Sequence, residues 1–127
     1  MKNIKKATIE ELLSAKKVNI LTDLYYDSTE LGMRFEFQRI KPTKVMDIMQ
    51  EIAEEKTDVY TACLHLIYLS VPMFKNKELQ EKHEIQGNPY EVVEHVFNGN
   101  VMEINQFGAK ILNIYGFTQD KVNAVKK

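Results

Sequence analysis

The feature that most constrains the fold of this chain is the segment from Asp58 to Leu69. Placed on a helix, its apolar residues cover nearly the whole circumference, and they are Val59, Ala62, Cys63, Leu64, Leu66, Ile67 and Leu69. A helix of this kind is stable only when other elements pack against several of its sides. The sequence therefore predicts a central helix, ended by Pro72, inside a helical domain.

Other helices are predicted on both sides of this segment. A short one follows the capping box Thr8 to Glu11. After Lys41-Pro42-Thr43, a buried face is predicted at Val45, Ile48, Met49 and Ile52, because these positions recur with the helical period. Three further helices are expected over residues 76–84, from an Asn88 cap with Pro89 at the first helical position, and from an Asn100 cap repeated by Glu103.

The apolar period changes to two between residues 18 and 40. Val18, Ile20 and Leu24 alternate with polar residues, and so do Met33, Phe35 and Phe37, on either side of a polar loop from Asp27 to Gly32. Alternation of this kind predicts a β-hairpin. The expected class is therefore α+β, mainly α, with a bundle of about five helices beside an N-terminal hairpin.

Gly108 stands in the middle of the apolar seam of the last helix. A glycine inside a helix costs about 1 kcal/mol relative to alanine, so a compensating contact is expected there. We predict close approach of another helix at Gly108. At the end of the helix, Gly116 suits a left-handed stop, and Phe117 is expected to fold back on Leu112.

The length of 127 residues fits one domain, predicted to span residues 1–127. It divides into the hairpin at about 18–40, a helical part at about 42–117 and a polar tail at 118–127. The 17 basic and 18 acidic residues are interleaved, which argues against a nucleic-acid partner. Apolar runs too short to span a bilayer argue against a membrane partner, and the single cysteine excludes an intramolecular disulfide. We expect a cytoplasmic protein.

The residues that could carry chemistry show no pattern of a catalytic or metal site. His65 falls in the central helix, where a hydrogen-bonded core histidine is the expected role, and Cys63 beside it is expected to be buried and inert. Glu91 and His95 are spaced to share a helix face, but a zinc site needs three or four ligands. We expect no enzyme activity, no cofactor and no metal.

One apolar run lies outside any helical period, namely Val71, Pro72, Met73 and Phe74. Two interpretations remain open for it. The run is either a buried connection that covers the core or a partner-binding patch, since methionine and aromatic side chains adapt well to an apolar helix.

From Tyr68 onward the chain resembles the tail assembly chaperones of tailed phages and prophages, in particular the XkdN-like family of Gram-positive hosts. The matching features are the 67–72 helix exit IYLSVP, the 77–80 step KELQ, the 88–93 helix start NPYEVV, the turn from Gly99 to Ile104, and Gly116-Phe117. Upstream, residues 35–42 (FEFQRIKP) are similar to the family's strand before the first bundle helix.

The resemblance implies a chaperone that binds the tape measure protein, a long helical chain, and keeps it soluble during tail assembly in the cytoplasm of a bacterial host. The tail tube protein and a second copy of the chain are further candidate partners. Other classes stay open. They are a structural or adaptor protein retained in the phage particle, a helical interaction module of other function, and a small enzyme or regulator.

Overall fold

A computed structural model describes residues 6, 8–14 and 24–117, without the side chains at positions 11, 12 and 14. In chain order the described elements are α1 (Ile9–Ser14), β1 (Tyr25–Ser28), β2 (Met33–Glu36), α2 (Pro42–Ala53), α3 (Val59–Ser70), a 3₁₀ turn (Pro72–Lys75), α4 (Lys77–Lys82), α5 (Glu91–Val96) and α6 (Val101–Ile114). The predicted class, α+β and mainly α, is confirmed. The predicted strand residues Val18 and Ile20 and the 118–127 tail lie outside the described residues.

The hairpin is antiparallel, and Ser28 at the end of β1 pairs with Met33 at the start of β2. The prediction that Asp27 and Ser28 belong to the loop was wrong, because both continue the first strand. The reason is a buried role for Ser28. Its hydroxyl accepts from the Leu31 N–H at 3.1 Å, which fixes the turn, and it also reaches a carboxylate on α6.

Helix α3 occupies the centre of the structure, as its sequence predicted. Cys63, Leu64 and Ile67 belong to a cluster that also contains aromatic rings of the hairpin and α6 and two valines of α5. Ala62 and Leu66, on the other side of α3, belong to a second cluster with the buried face of α2. That face consists of the predicted residues Val45, Ile48, Met49 and Ile52. One helix therefore contributes side chains to two apolar clusters, which explains why it has almost no polar face.

Helices α3 and α6 approach each other closely at Gly108. A β-carbon placed on Gly108 would lie 2.7 Å from the β-carbon of Cys63 and 3.2 Å from its Cα. Two carbon atoms in ordinary contact are 3.5–4.0 Å apart, so no side chain fits between the helices here. The predicted role of Gly108 is confirmed, and Cys63 is the residue against which it packs.

Capping follows the predictions in part. The Asn100 side chain accepts from the Glu103 N–H at 3.1 Å, as expected for the start of α6. Asn88 was predicted to cap α5 in the same way, and this was wrong. Its side-chain amide donates to the Tyr90 hydroxyl at 3.1 Å. Its backbone carbonyl accepts from the Glu91 N–H, so a 3₁₀-type turn precedes the helix.

The end of α6 has the predicted geometry. Gly116 has φ +91°, and the Phe117 N–H donates to the Leu112 carbonyl at 3.1 Å. This is the bond of a Schellman motif, and the Phe117 side chain packs against the same cluster as Leu112. The motif fixes the direction in which the chain leaves the last helix.

Candidate partner-binding surface

The segment predicted as a binding patch is divided between core and surface. Val71 and Phe74 are buried, with 0% and 1% of their surface exposed, and the Phe74 ring stacks on Phe35 with centroids 5.9 Å apart. Pro72 and Met73 are exposed. The segment is thus a 3₁₀ turn that covers the core, which is the first of its two interpretations for Val71 and Phe74. Only Pro72 and Met73 could touch a partner in this conformation.

Methionine is unusually exposed in this structure. Of the five methionines in the described residues, only Met49 is buried, and the other four expose more than half of their surface: Met33 58%, Met46 54%, Met73 52% and Met102 69%. Methionine is ordinarily among the residues most often buried. Its flexible thioether side chain adapts to varied apolar surfaces, so an exposed set of this kind is typical of a protein-binding surface.

Two of these methionines belong to elements that a hydrogen bond joins, the hairpin and α6. Directly paired residues of an antiparallel hairpin project from the same face, so Met33 lies on the face of Ser28. The Ser28 hydroxyl donates to the Glu103 carboxylate at 2.8 Å, and Met102 immediately precedes Glu103. Val101, the first residue of α6, is also 53% exposed. We call Met33, Val101 and Met102 the hairpin–α6 surface.

Glu103 joins the hairpin to α6. It is buried, with 5% exposed, and its carboxylate also accepts from the Tyr26 hydroxyl at 2.9 Å. Burial, and then the Glu103 carboxylate, raise the pKa of Tyr26 far above its ordinary value, so the hydroxyl stays a donor. A buried charge costs several kcal/mol unless it is hydrogen-bonded, which makes these two bonds obligatory. They attach the hairpin rigidly to the start of α6.

Sequence reasoning missed this role of Glu103. The Asn100 and Glu103 spacing predicted that the carboxylate would return to its own cap, but it points into the interface with β1 instead. The sequence contains one weak signal. Tyr26 and Ser28 carry hydroxyl groups and lie two residues apart, so both side chains point to the same face of the strand. The partner of that polar pair could not be found, because 75 residues separate Ser28 from Glu103.

The residues considered for chemistry are placed as follows. Burial raises the pKa of the Cys63 thiol to about 12, which keeps it protonated and unreactive as predicted. His65 is half-buried, and its ring lies 5.4 Å from Tyr90 between centroids. The rings of His83 and His95 lie 5.9 Å apart. Within the described residues, no three His, Cys, Asp or Glu side chains are grouped so that they could hold a metal ion.

Comparisons of the chain with protein-family models, with curated proteins and with solved structures give no match. None of the helices in the described part of the chain is long and apolar enough to cross a membrane.

Proposed function

We propose that this chain is a binding protein of the tail assembly chaperone type, which covers an apolar helical segment of a tape measure protein before the tail tube forms around it. The observation that carries the proposal is the exposure of Met33, Val101 and Met102 on a well-packed domain. The specific partner comes from the resemblance to the XkdN-like family, which supplies a role that such a surface suits.

The hairpin–α6 surface is the part of the molecule that we assign to the partner. An amphipathic helix binds by laying its apolar face on an apolar surface, and methionines let one surface accept several different sequences along a long chain. Because Glu103 fixes the hairpin to α6, Met33 and Met102 are presented together without a large loss of conformational entropy on binding.

The experiment is coexpression with the tape measure protein encoded beside this gene. The wild-type chain should raise the soluble yield of that protein. The double variant Met33→Glu with Met102→Glu should lose most of the effect, because a carboxylate placed against an apolar helix loses its hydration. Met46→Glu is the matched control, since Met46 is an equally exposed methionine on α2 and outside this surface.

Three results would count against the proposal at different levels. Wild-type coexpression without a gain in solubility would contradict the chaperone function. A double variant as effective as the wild type would place the binding surface elsewhere. Mass spectrometry of finished tails should not find the chain, and its presence in stoichiometric amount would favour the structural or adaptor role instead.

A further inference from the structure

A cleft opens between α2 and α3 beside the turn that joins them. Its volume is about 210 Å³, which is room for about seven waters at ~30 Å³ each. The buried side chains of Ile48 and Ala62 form an apolar floor. At Lys56 and Thr57 the cleft is continuous with a more open space of about 400 Å³ over the turn. A space of this size and shape accommodates one long side chain.

Two carboxylates of the cleft form no hydrogen bond or ion pair within the described part of the chain. Glu51 lines the enclosed part and Glu55 lines the open part. Neither side chain makes a hydrogen bond or an ion pair with another described residue. Lys56, the cation between them, is instead paired with Glu54 at 2.9 Å. The charge of Lys56 is therefore met mainly by Glu54, from outside the cleft, and Glu51 adds a smaller attraction to it.

The charges of the described residues around the cleft sum to a negative value. Among the described residues at the cleft, the carboxylates are Glu51, Glu54 and Glu55 and the ammonium groups are Lys44 and Lys56, so three negative charges stand against two positive ones. Asp58 also lines the open part, but its carboxylate is engaged in capping α3 and accepts from the Thr61 N–H at 2.6 Å. This balance favours a cationic occupant over an anionic one.

Part of the cleft wall is aromatic and uncharged, and it is formed by His65 and Tyr90. Burial, and next the Lys44 ammonium, lower the pKa of His65, so its imidazole is neutral at pH 7. Its ring and that of Tyr90 lie 5.4 Å apart at an angle of 37°. A planar guanidinium stacks on aromatic rings while its edge donates to a carboxylate, whereas an ammonium does only the second well. The wall therefore favours arginine over lysine.

The backbone at Glu55 shows that its side chain is held at a cost. Glu55 has φ 58°, the left-handed conformation that glycine adopts most easily at the residue after a helix. The Lys56 N–H donates to the Glu51 carbonyl at 2.8 Å, which completes the helix stop and fixes Glu55 in place. A glutamate in this position gives the cleft a carboxylate that glycine could not supply.

We propose that this cleft binds an arginine side chain of a partner protein. The guanidinium stacks on Tyr90 and His65 and pairs with Glu51, and its methylene groups lie over Ile48 and Ala62. Glu55 attracts the cation at the open end. The site uses none of the residues of the hairpin–α6 surface and does not require the partner to be a tape measure protein, so it goes beyond the proposed function.

The test is a titration of the ¹⁵N-labelled full chain with N-acetyl-L-argininamide, followed by the backbone amide signals in NMR spectra. The amides of Thr57, Thr61 and His65 should shift with one saturating curve in the millimolar range. N-acetyl-L-citrullinamide has nearly the same shape without the charge and should leave them unchanged. No saturable shift with the arginine probe, or equal shifts with both probes, would overturn the proposal.

Variants identify the groups responsible. Glu51→Gln should weaken arginine binding about fivefold, because removing one partner of a partly screened ion pair costs ~1 kcal/mol. Glu81→Gln, an exposed carboxylate on α4, is the matched control and should bind as the wild type does. N-acetyl-L-lysinamide should bind at least about threefold more weakly than the arginine probe, since it cannot stack. An unchanged affinity in Glu51→Gln would refute the assignment.

Discussion

Helix α3 takes part in two features that differ in their use of glycine. They are its crossing with α6 and the turn that joins it to α2. At the crossing, Gly108 removes a side chain so that the helices meet at Cys63 without free space. At the turn, Glu55 keeps a side chain where glycine would relax the backbone, and a cleft stays open beside it. At the crossing, the absence of a side chain permits close packing. At the turn, a side chain is present although the backbone is strained.

On our proposal for the cleft, this difference distinguishes a residue that stabilises the fold from a residue that serves binding. Strained positions persist only where the surrounding structure holds them, and they concentrate at binding sites. Stability should therefore fall when the crossing is altered and rise when the turn is relaxed. Each of the following variants tests one side of that contrast.

The largest effect is expected from Gly108→Leu. Its β-carbon alone would meet the Cα of Cys63 at 3.2 Å, so the backbones of α3 and α6 must separate. Overpacking typically costs ~1–3 kcal/mol, and the involvement of backbone atoms places this variant near the upper end. Urea unfolding, followed by circular dichroism, measures the loss directly. Asn113→Leu on the exposed face of α6 is the control and should change the free energy of unfolding by less than ~0.5 kcal/mol.

If Gly108→Leu unfolded at the same urea concentration as the wild type, the close approach of the two helices would be wrong. Packing against Cys63 could then not be the reason for a glycine at this position.

A smaller effect of opposite sign is expected from Glu55→Gly. Relief of the left-handed conformation should raise the free energy of unfolding by up to ~1 kcal/mol, reduced by the greater freedom of glycine in the unfolded chain. Glu54→Gly, one residue earlier at φ −88°, has no such strain to relieve and should destabilise instead. Thermal unfolding of the two variants side by side gives the contrast.

The same Glu55→Gly protein should bind N-acetyl-L-argininamide more weakly than the wild type. A variant that was more stable and bound equally well would show that the strain at Glu55 has no connection with the cleft.

The smallest effect concerns pH and His65. Its pKa in the folded state lies below the ordinary value of 6.5, so below pH 6.5 the unfolded chain binds a proton that the folded chain resists. This contribution to stability is complete above pH 6.5 and is lost as the pH falls below it. His65→Gln should therefore lose less stability than the wild type between about pH 7.5 and about pH 5.5. Equal losses, measured by urea unfolding, would mean that His65 titrates in the fold as it does in the unfolded chain.

Local patterns predicted the helical part of this fold well. The buried face of α2, the central position of α3, the Asn100 cap and the close contact at Gly108 each depend on spacing within one element or on the cost of glycine in a helix. Those costs are set locally, so one sequence is sufficient to detect them. The end of β1 and the Asn88 cap were wrong because their geometry depends on Glu103 and Tyr90, which no local period identifies.

The candidate sites were harder to predict for the same reason. Apolar character marked the 71–74 segment, yet burial of Val71 and Phe74 depends on where Phe35 and the rest of the aromatic cluster lie. The cleft between α2 and α3 combines residues of both helices with Tyr90, and none of these residues belongs to a recognisable motif in the sequence. Exposure of methionine likewise becomes visible only when the packed faces are known.

The bonds from Glu103 to Tyr26 and Ser28 also impose an order of events during synthesis. Ribosomes release the chain from its N-terminus, so the hairpin emerges before α6, and the carboxylate that anchors it comes 75 residues after Ser28. A two-stranded hairpin is marginally stable on its own in water. The hairpin can therefore become stable only after α6 has been synthesised. A nascent chain halted before residue 103 should leave Tyr26 and Ser28 open to proteolysis.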